Sequence, residues 1–425
     1  MLSTLPTGQV VKLTSFDHML ERVLFAMACG LLFIDSLTGF FVMKVGVDLK
    51  LSVLYKLLFL FLGLIQLLRR NYSYFLLSFS LMAFVIIWSS LQNLTGGLRY
   101  LLFDFGEALK LVSTIIVFLV FSTFRVTNCK KSYLSLMYIS LTVLAINIFA
   151  SLVGYGSSSY GLFGAKGFFY SGNALSGVIV IISTFILVKA AERGILAYIS
   201  FSVFFVSLSA VIGTKSGILG VAIVASLIPL HRFNFTPKML AALSVIVPIG
   251  IVACYFVYSL FLNSPIYDRL VYFYETGGVT RALLSDRDIF FWDIFPSFSM
   301  QGYTRLLFGF GFEELNKFNK DTVEMDPIDI VFIFGFATFF VYIVLMNILF
   351  NVVRKFPDKG DKLITDLKLS IGVSSFVLLL ISSVAGHILF NGFVTFIWGV
   401  TIALPFWRRN NIDYYSSLLT ARVGG

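Results

Sequence analysis

The sequence predicts an all-α polytopic membrane protein with about twelve transmembrane helices, and three observations carry that prediction. Hydrophobic residues make up 58% of the 425 and charged residues only 13%, against roughly 45–50% and 25% in a soluble globular domain. Apolar runs of about twenty residues recur along the whole chain, and each is long enough as a helix to cross a hydrocarbon layer about 30 Å thick. The loops between the runs carry basic pairs in alternation, the pattern by which a multi-pass chain sets its topology.

Taken in order, the predicted spans are 24–43, 51–68, 74–91, 107–123, 133–154, 173–190, 195–212, 217–230, 239–262, 328–351, 369–386 and 391–407. The first 22 residues are mixed and polar, and the run behind them is too long and too poorly flanked for a cleaved signal peptide, so the first helix is expected to stay. Basic pairs mark every second connection: Arg69 and Arg70, Lys130 and Lys131, Lys189 and Arg193, Arg232 and Lys238, Arg354 and Lys355, Arg408 and Arg409. These loops, with both termini, are expected on the cytoplasmic side. The chain then forms a single transmembrane domain, 1–425, from which one long loop, 263–327, projects outward between the ninth and tenth spans. In a bacterium that face of the inner membrane is periplasmic.

Several function classes recede on the same observations. The net charge of +10 sits mostly in short loops, so nucleic-acid binding is not expected. Cys29, Cys129 and Cys254 fall in a helix, a short basic loop and another helix, which outlines neither a disulfide framework nor a metal cluster. Neither metal nor cofactor is expected, because the chain has no Walker loop, no GxGxxG in a βαβ setting, no His/Cys ligand spacing and no nucleophile elbow. No repeat of 20 to 50 residues is evident, which argues against a transporter built from inverted repeats.

Ionisable chemistry concentrates outside. Between Asp268 and Asp329 lie eleven of the chain's 22 acidic residues, with Arg269, Arg281, Arg287, Arg305, Lys317 and Lys320 among them. In RALLSDRDIFFWDIF (281–295), Arg281 and Arg287 stand beside aromatic residues. The segment is either an interfacial helix whose guanidinium groups clamp a phosphate, or an amphipathic re-entry whose arginines pair with Asp286 and Asp288. Glu324, Asp326 and Asp329 crowd the mouth of the tenth span around Pro327. Desolvation there raises a carboxyl toward the range of a general base, so Glu324 or Asp326 is a candidate to deprotonate a sugar hydroxyl; helix capping is the competing explanation.

Two outer turns complete the set. GTKSG (213–217) offers Lys215 at a helix N-terminus, either an anion site or a plain hairpin. GLFGAKGFFYSGN (161–173) carries Lys166, Tyr170 and Asn173 on what reads as a flexible glycine-rich connection, with aromatic and amide groups suited to sugars. His387, in AGHILFNG, is a candidate acid–base group or an interfacial anchor. Asp35 lies mid-span, with no second intramembrane charge aligned to it.

These features together resemble the O-antigen polymerase and ligase (Wzy/WaaL) superfamily over nearly the whole chain. GTKSG is similar to an outer turn of that family that usually contains Arg, a place Lys215 takes here. SDRDIFFWDIF followed by LFGFGF is similar to the family's Arg, a Trp a few residues on, and a Gly-rich turn, which makes Arg287 the leading phosphate ligand. Glu324, eleven residues before Gly335, stands where ligases typically show His, and its Glu-x-Asp form resembles the polymerases. GFFYSGN resembles the segment ending in Asn before the sixth helix.

The resemblance implies a metal-independent, GT-C-like glycosyltransferase of the bacterial inner membrane acting in O-antigen, lipopolysaccharide or related surface-polysaccharide biosynthesis. It would move a growing glycan from undecaprenyl diphosphate onto a new lipid-linked repeat at the periplasmic face. Arg287, Arg281 and Lys215 would hold the diphosphate, Glu324 or Asp326 would activate the acceptor, and Lys166, Tyr170, Asn173 and His387 would contact glycan. Membrane lipid and a chain-length regulator are the further partners implied. A ligase joining the glycan to a lipid core is the nearest alternative. A lipid-linked oligosaccharide flippase comes after it, and would scatter its charges through a central cavity without a long outer loop.

Overall fold

The computed structural model describes residues 14–93, 97–126, 128–160, 163–232, 262, 265–300, 302–318, 320, 322–358 and 360–423. It is 83% helical. The helices are α1 (Ser15–Phe40), α2 (Leu51–Arg70), α3 (Tyr72–Gln92), α4 (Leu98–Ser122), α5 (Cys129–Leu152), α6 (Gly172–Ala191), α7 (Ile195–Ile212) and α8 (Lys215–Arg232). There follow α9 (Pro265–Leu284), α10 (Arg287–Met300), α11 (Gly302–Phe308), α12 (Gly311–Leu315), α13 (Asp326–Arg354), α14 (Lys362–Ser382) and α15 (Gly392–Val423).

Among the described residues, nine helices are long and apolar enough to cross a membrane: α1 with the π-helical turn that extends it to Val45, α2 to α7, α13 and α14. Two further predicted spans are helices of less apolar length: α8 holds Lys215, His231 and Arg232 within 18 residues, and the apolar part of α15 is Gly392–Trp407. Residues 239–261 of the ninth predicted span lie outside the described residues. The chain is therefore an all-α, multi-pass membrane protein.

α4 and α6 form the centre, with 78% and 89% of their apolar stretches buried against 22% for α3 and α7. Lipid tails are as apolar as Leu, so close packing and satisfied polar groups hold such a bundle rather than hydrophobic exclusion. α15 shows both. A Cβ at Gly399 would stand 2.6 Å from the Thr114 carbonyl oxygen, so only glycine lets α15 lie this close along α4. The two buried indoles of α15 find acceptors: Trp398 Nε1 donates to Ser375 Oγ (2.9 Å) and Trp407 Nε1 to the Phe121 carbonyl (2.8 Å).

The basic residues grouped by the loop alternation meet acids at one end of the bundle. Arg69 pairs with Asp17 (2.6 Å), and Arg70 joins Glu21 to the Thr123 carbonyl (2.8 Å), locking the start of α1 to the ends of α2 and α4. Lys130 and Lys189 meet Glu192, and Arg232 meets Asp366. Toward the opposite end, Asp35 is not alone as the sequence suggested. Lys56 of α2 reaches its two carboxylate oxygens at 2.8 and 3.1 Å and Ser52 Oγ at 2.7 Å. Unpaired, either charge would be costly at this depth; facing each other, they tie α1 to α2.

The outer segments are more ordered than expected. Two strands, β1 (Ser157–Tyr160) and β2 (Phe163–Gly167), pair antiparallel where the sequence reads as a flexible connection. The pair is seated by Asn147, which accepts from the Phe168 N–H (3.2 Å), and by Gly39, where a Cβ would collide with the Phe168 carbonyl. The polar stretch after residue 264 is helical through α9 to α12.

Candidate functional site

α13 is two helices joined at Gly335. The backbone there (φ 82°, ψ 168°) lies in a region that only glycine enters readily, and a Cβ would sit 2.1 Å from the Leu307 carbonyl oxygen. The FGFGF turn fills the break: Phe310 N–H donates to the Phe332 carbonyl (2.8 Å), and Gln92 Nε2 satisfies the freed carbonyls of Phe308 (2.7 Å) and Ile333 (2.5 Å). Asp104, fully buried on α4, holds the turn from behind by accepting from Phe312 N–H (2.9 Å) and Asn93 Nδ2 (2.6 Å). Broken backbone is tolerated at membrane depth only where protein groups replace the lost bonds, as they do here.

The short first half of α13 carries Asp326 and Asp329, with Glu324 two residues before it, and the structure separates the roles of the three acids. Asp326 accepts from three successive N–H groups, those of His387 (2.6 Å), Ile388 (3.0 Å) and Leu389 (2.7 Å). Asp329 accepts from the N–H groups of Val323 (2.7 Å) and Met325 (3.1 Å). Both are fully buried, and both hold backbone. Glu324 is the acid they present. It lies between the two latches in the left-handed region (φ 63°), facing His387 (φ 64°), with Gly386 N–H donating to its carbonyl. Each left-handed non-glycine residue costs about 1–2 kcal/mol, and both persist because the carboxylate latches fix the chain on either side.

Arg287, the first residue of α10, grips Glu324 twice: Nε donates to its main-chain oxygen (2.8 Å) and Nη2 to its carboxylate (3.0 Å), while Nη1 binds the Leu284 carbonyl (2.9 Å). Lys320 reaches the other carboxylate oxygen (2.6 Å) and lies over the Phe290 ring (4.3 Å). His387 Nε2 stands 3.8 Å from that same oxygen. A carboxylate, two cations and an imidazole thus converge at the head of a broken helix.

The electrostatics differ from the sequence expectation for Glu324. Burial pushes its carboxyl up, but the hydrogen bond and charge of Lys320, with Arg287 and His387, hold it below its ordinary value. Burial also lowers the His387 imidazole, outweighing the attraction of Glu324 and Glu107. Both shifts make stability rise with pH, in separate windows. The unfolded chain protonates His387 first, so stability is lost as pH falls below 6.5; it protonates Glu324 first, so a second loss begins below 4.5. Measured in detergent, the melting-temperature difference between the protein and His387→Asn is expected to change as pH falls below 6.5, and that between the protein and Glu324→Gln as pH falls below 4.5; differences independent of pH would refute these shifts.

The remaining predicted residues divide. Lys215 stands over the Phe273 ring (5.5 Å), which also receives Arg269 (5.1 Å), and donates to the Ala282 carbonyl and Ser285 Oγ (3.0 Å), two residues from Arg287. Arg281 takes the structural alternative, lying 3.5 Å from Asp286 and 3.9 Å from Asp288. Asn173 joins two of the predicted turns, donating to the Gly386 carbonyl (3.3 Å) and accepting from Ser216 (3.4 Å). Tyr170 is exposed and Lys166 lies on β2; among the described residues no hydrogen bond or ion pair links either to Glu324.

Sequence reasoning passed over Lys320 as a Glu324 partner, and Glu107 and Lys110 on α4, an ion pair beside His387. The available signal was the charge at 107 and 110 inside the fourth predicted span. No protein-family model matches this chain, and no curated protein matches it.

Proposed function

We propose that this chain polymerises undecaprenyl-diphosphate-linked oligosaccharide repeats, as a GT-C-like glycosyltransferase of the bacterial inner membrane with both termini cytoplasmic and its site at the periplasmic face. The observation that carries the reading is the Arg287–Glu324 pair with Lys320 and His387 around it. Glycosyl transfer from a lipid diphosphate needs fixed positive charge where the leaving group gains negative charge, beside a carboxylate that takes the acceptor's proton.

On this reading the donor diphosphate enters between Arg287 and Lys320 and competes with Glu324 for them. The acceptor hydroxyl oxygen then bonds to the donor's anomeric carbon and the bond from that carbon to phosphate breaks. The electron pair leaves with the diphosphate, and the hydroxyl proton passes to Glu324. Asp326 and Asp329 act through the backbone they hold, as positioning residues. Lys215 extends the basic surface toward the lipid diphosphate.

The test is reconstitution of the purified protein in vesicles with lipid-linked repeats. A ladder of products, each one repeat longer on the lipid carrier, is the expected result. Transfer onto lipid core without a ladder would make it a ligase, and movement of lipid across the bilayer without new glycosidic bonds would overturn the transferase reading.

A further inference from the structure

Beside His387 lies a cavity of about 200 Å³, which Arg287 does not line. At roughly 30 Å³ per water it holds the bulk of about seven waters. That is the size of one monosaccharide ring, below the ~300 Å³ at which sites for larger ligands begin. Its walls are amphipathic in the way a pyranose is. Ile333 and Phe390 supply an apolar face, while Ser171, Thr322 and Asn391 bring hydroxyl and amide groups that both donate and accept. Glu107 and Lys110 of α4 line it as an ion pair and neutralise each other, and Asp329 lines it with its carboxylate bound to the Val323 and Met325 N–H groups, a further reason for an anionic ring to be disfavoured. The cations suited to phosphate, Arg287 and Lys320, are bound instead to Glu324.

The geometry points to this cavity as the seat of a single non-anionic sugar ring, that of the incoming acceptor, held so that one hydroxyl reaches the Glu324–His387 edge. The assignment rests on the polymerase reading for the word acceptor; the preference for one uncharged or amino sugar rests on the cavity alone. The walls come from five separate parts of the chain: α4, Ser171 at the start of α6, Thr322 in the segment before α13, the first half of α13 and the His387–Asn391 loop. A sugar seated here would therefore sense whether the latch of Asp326 on that loop is closed.

Saturation-transfer NMR on the full-length protein in micelles tests it, with methyl glucoside, methyl glucosaminide and methyl glucuronide as probes. The first two are expected to bind, and the glucuronide at least tenfold more weakly. Glu107→Gln with Lys110→Met removes both charges together, so neither is left buried and unpaired, and should abolish the signal; Thr322→Val, nearly isosteric, should weaken it. Equal binding of the glucuronide, or undiminished binding in the folded variants, would overturn the assignment. In the vesicle assay the double variant should raise the acceptor KM about tenfold and leave the donor KM unchanged. Elongation with an unchanged acceptor KM would sink the cavity and spare the polymerase; glycoside binding lost in the variant, in a protein that makes no polymer, would do the reverse.

Discussion

Replacing Arg287 by Ala is expected to lower the rate of glycan transfer about 10²–10³-fold, the loss typical of removing one group that stabilises developing negative charge. Three separate hydrogen bonds hold Arg287, to the Glu324 main chain, the Glu324 carboxylate and the Leu284 carbonyl. A planar guanidinium makes such a set at once; an ammonium of similar reach is a single point of charge. Arg287→Lys should therefore keep donor binding within a few-fold and still transfer at least tenfold more slowly. Elongation rates in vesicles and donor affinity, measured on both variants, separate the two contributions. Melting temperature is the control, since Lys320 still holds the Glu324 carboxylate when Arg287 is gone. Full activity in Arg287→Ala would remove the residue from the mechanism.

The membrane helices are legible in the sequence because length and apolarity alone decide them, and α1 to α7, α13 and α14 lie where the runs predict. The site is legible only in part. Arg287 and Glu324 are 37 residues apart and meet because α10 to α12 fold back on α13, which no local pattern encodes. Three acids in six residues announce a special place, but only their hydrogen bonds show that Asp326 and Asp329 hold backbone while Glu324 is presented. Lys56 escapes notice because it is embedded in an otherwise apolar run, where the partner on a facing helix gives the charge its meaning; Glu107 and Lys110 pair within one helix, and only the fold sets that pair beside His387. The β1–β2 pair is hidden for another reason. Its Ser- and Gly-rich strands lack the alternating β-branched pattern of a free-standing sheet, and packing on Asn147 and Gly39 replaces it.

Glu324→Gln should slow chemistry without weakening the donor complex. Gln has the shape of Glu and an oxygen to accept from Arg287 or Lys320, so the strained backbone at φ 63° and its hydrogen bonds to Arg287 Nε and Gly386 N–H are kept. What is lost is the site for the acceptor's proton, a loss expected at about 10²–10⁴-fold in kcat. Donor binding should move the other way. On the polymerase reading an incoming diphosphate would displace the Glu324 carboxylate from Arg287 and Lys320, whereas the neutral amide would compete less, so the donor KM should stay level or fall. The same displacement would let a carboxyl held low in the resting protein serve as a base: once its cations turn to the phosphate, burial remains as the cause that raises it. Single-turnover transfer with pre-bound donor reads the chemical step, and donor titration reads the binding step. A parallel loss in both would assign Glu324 to structure, and an unchanged kcat would hand the proton to another group.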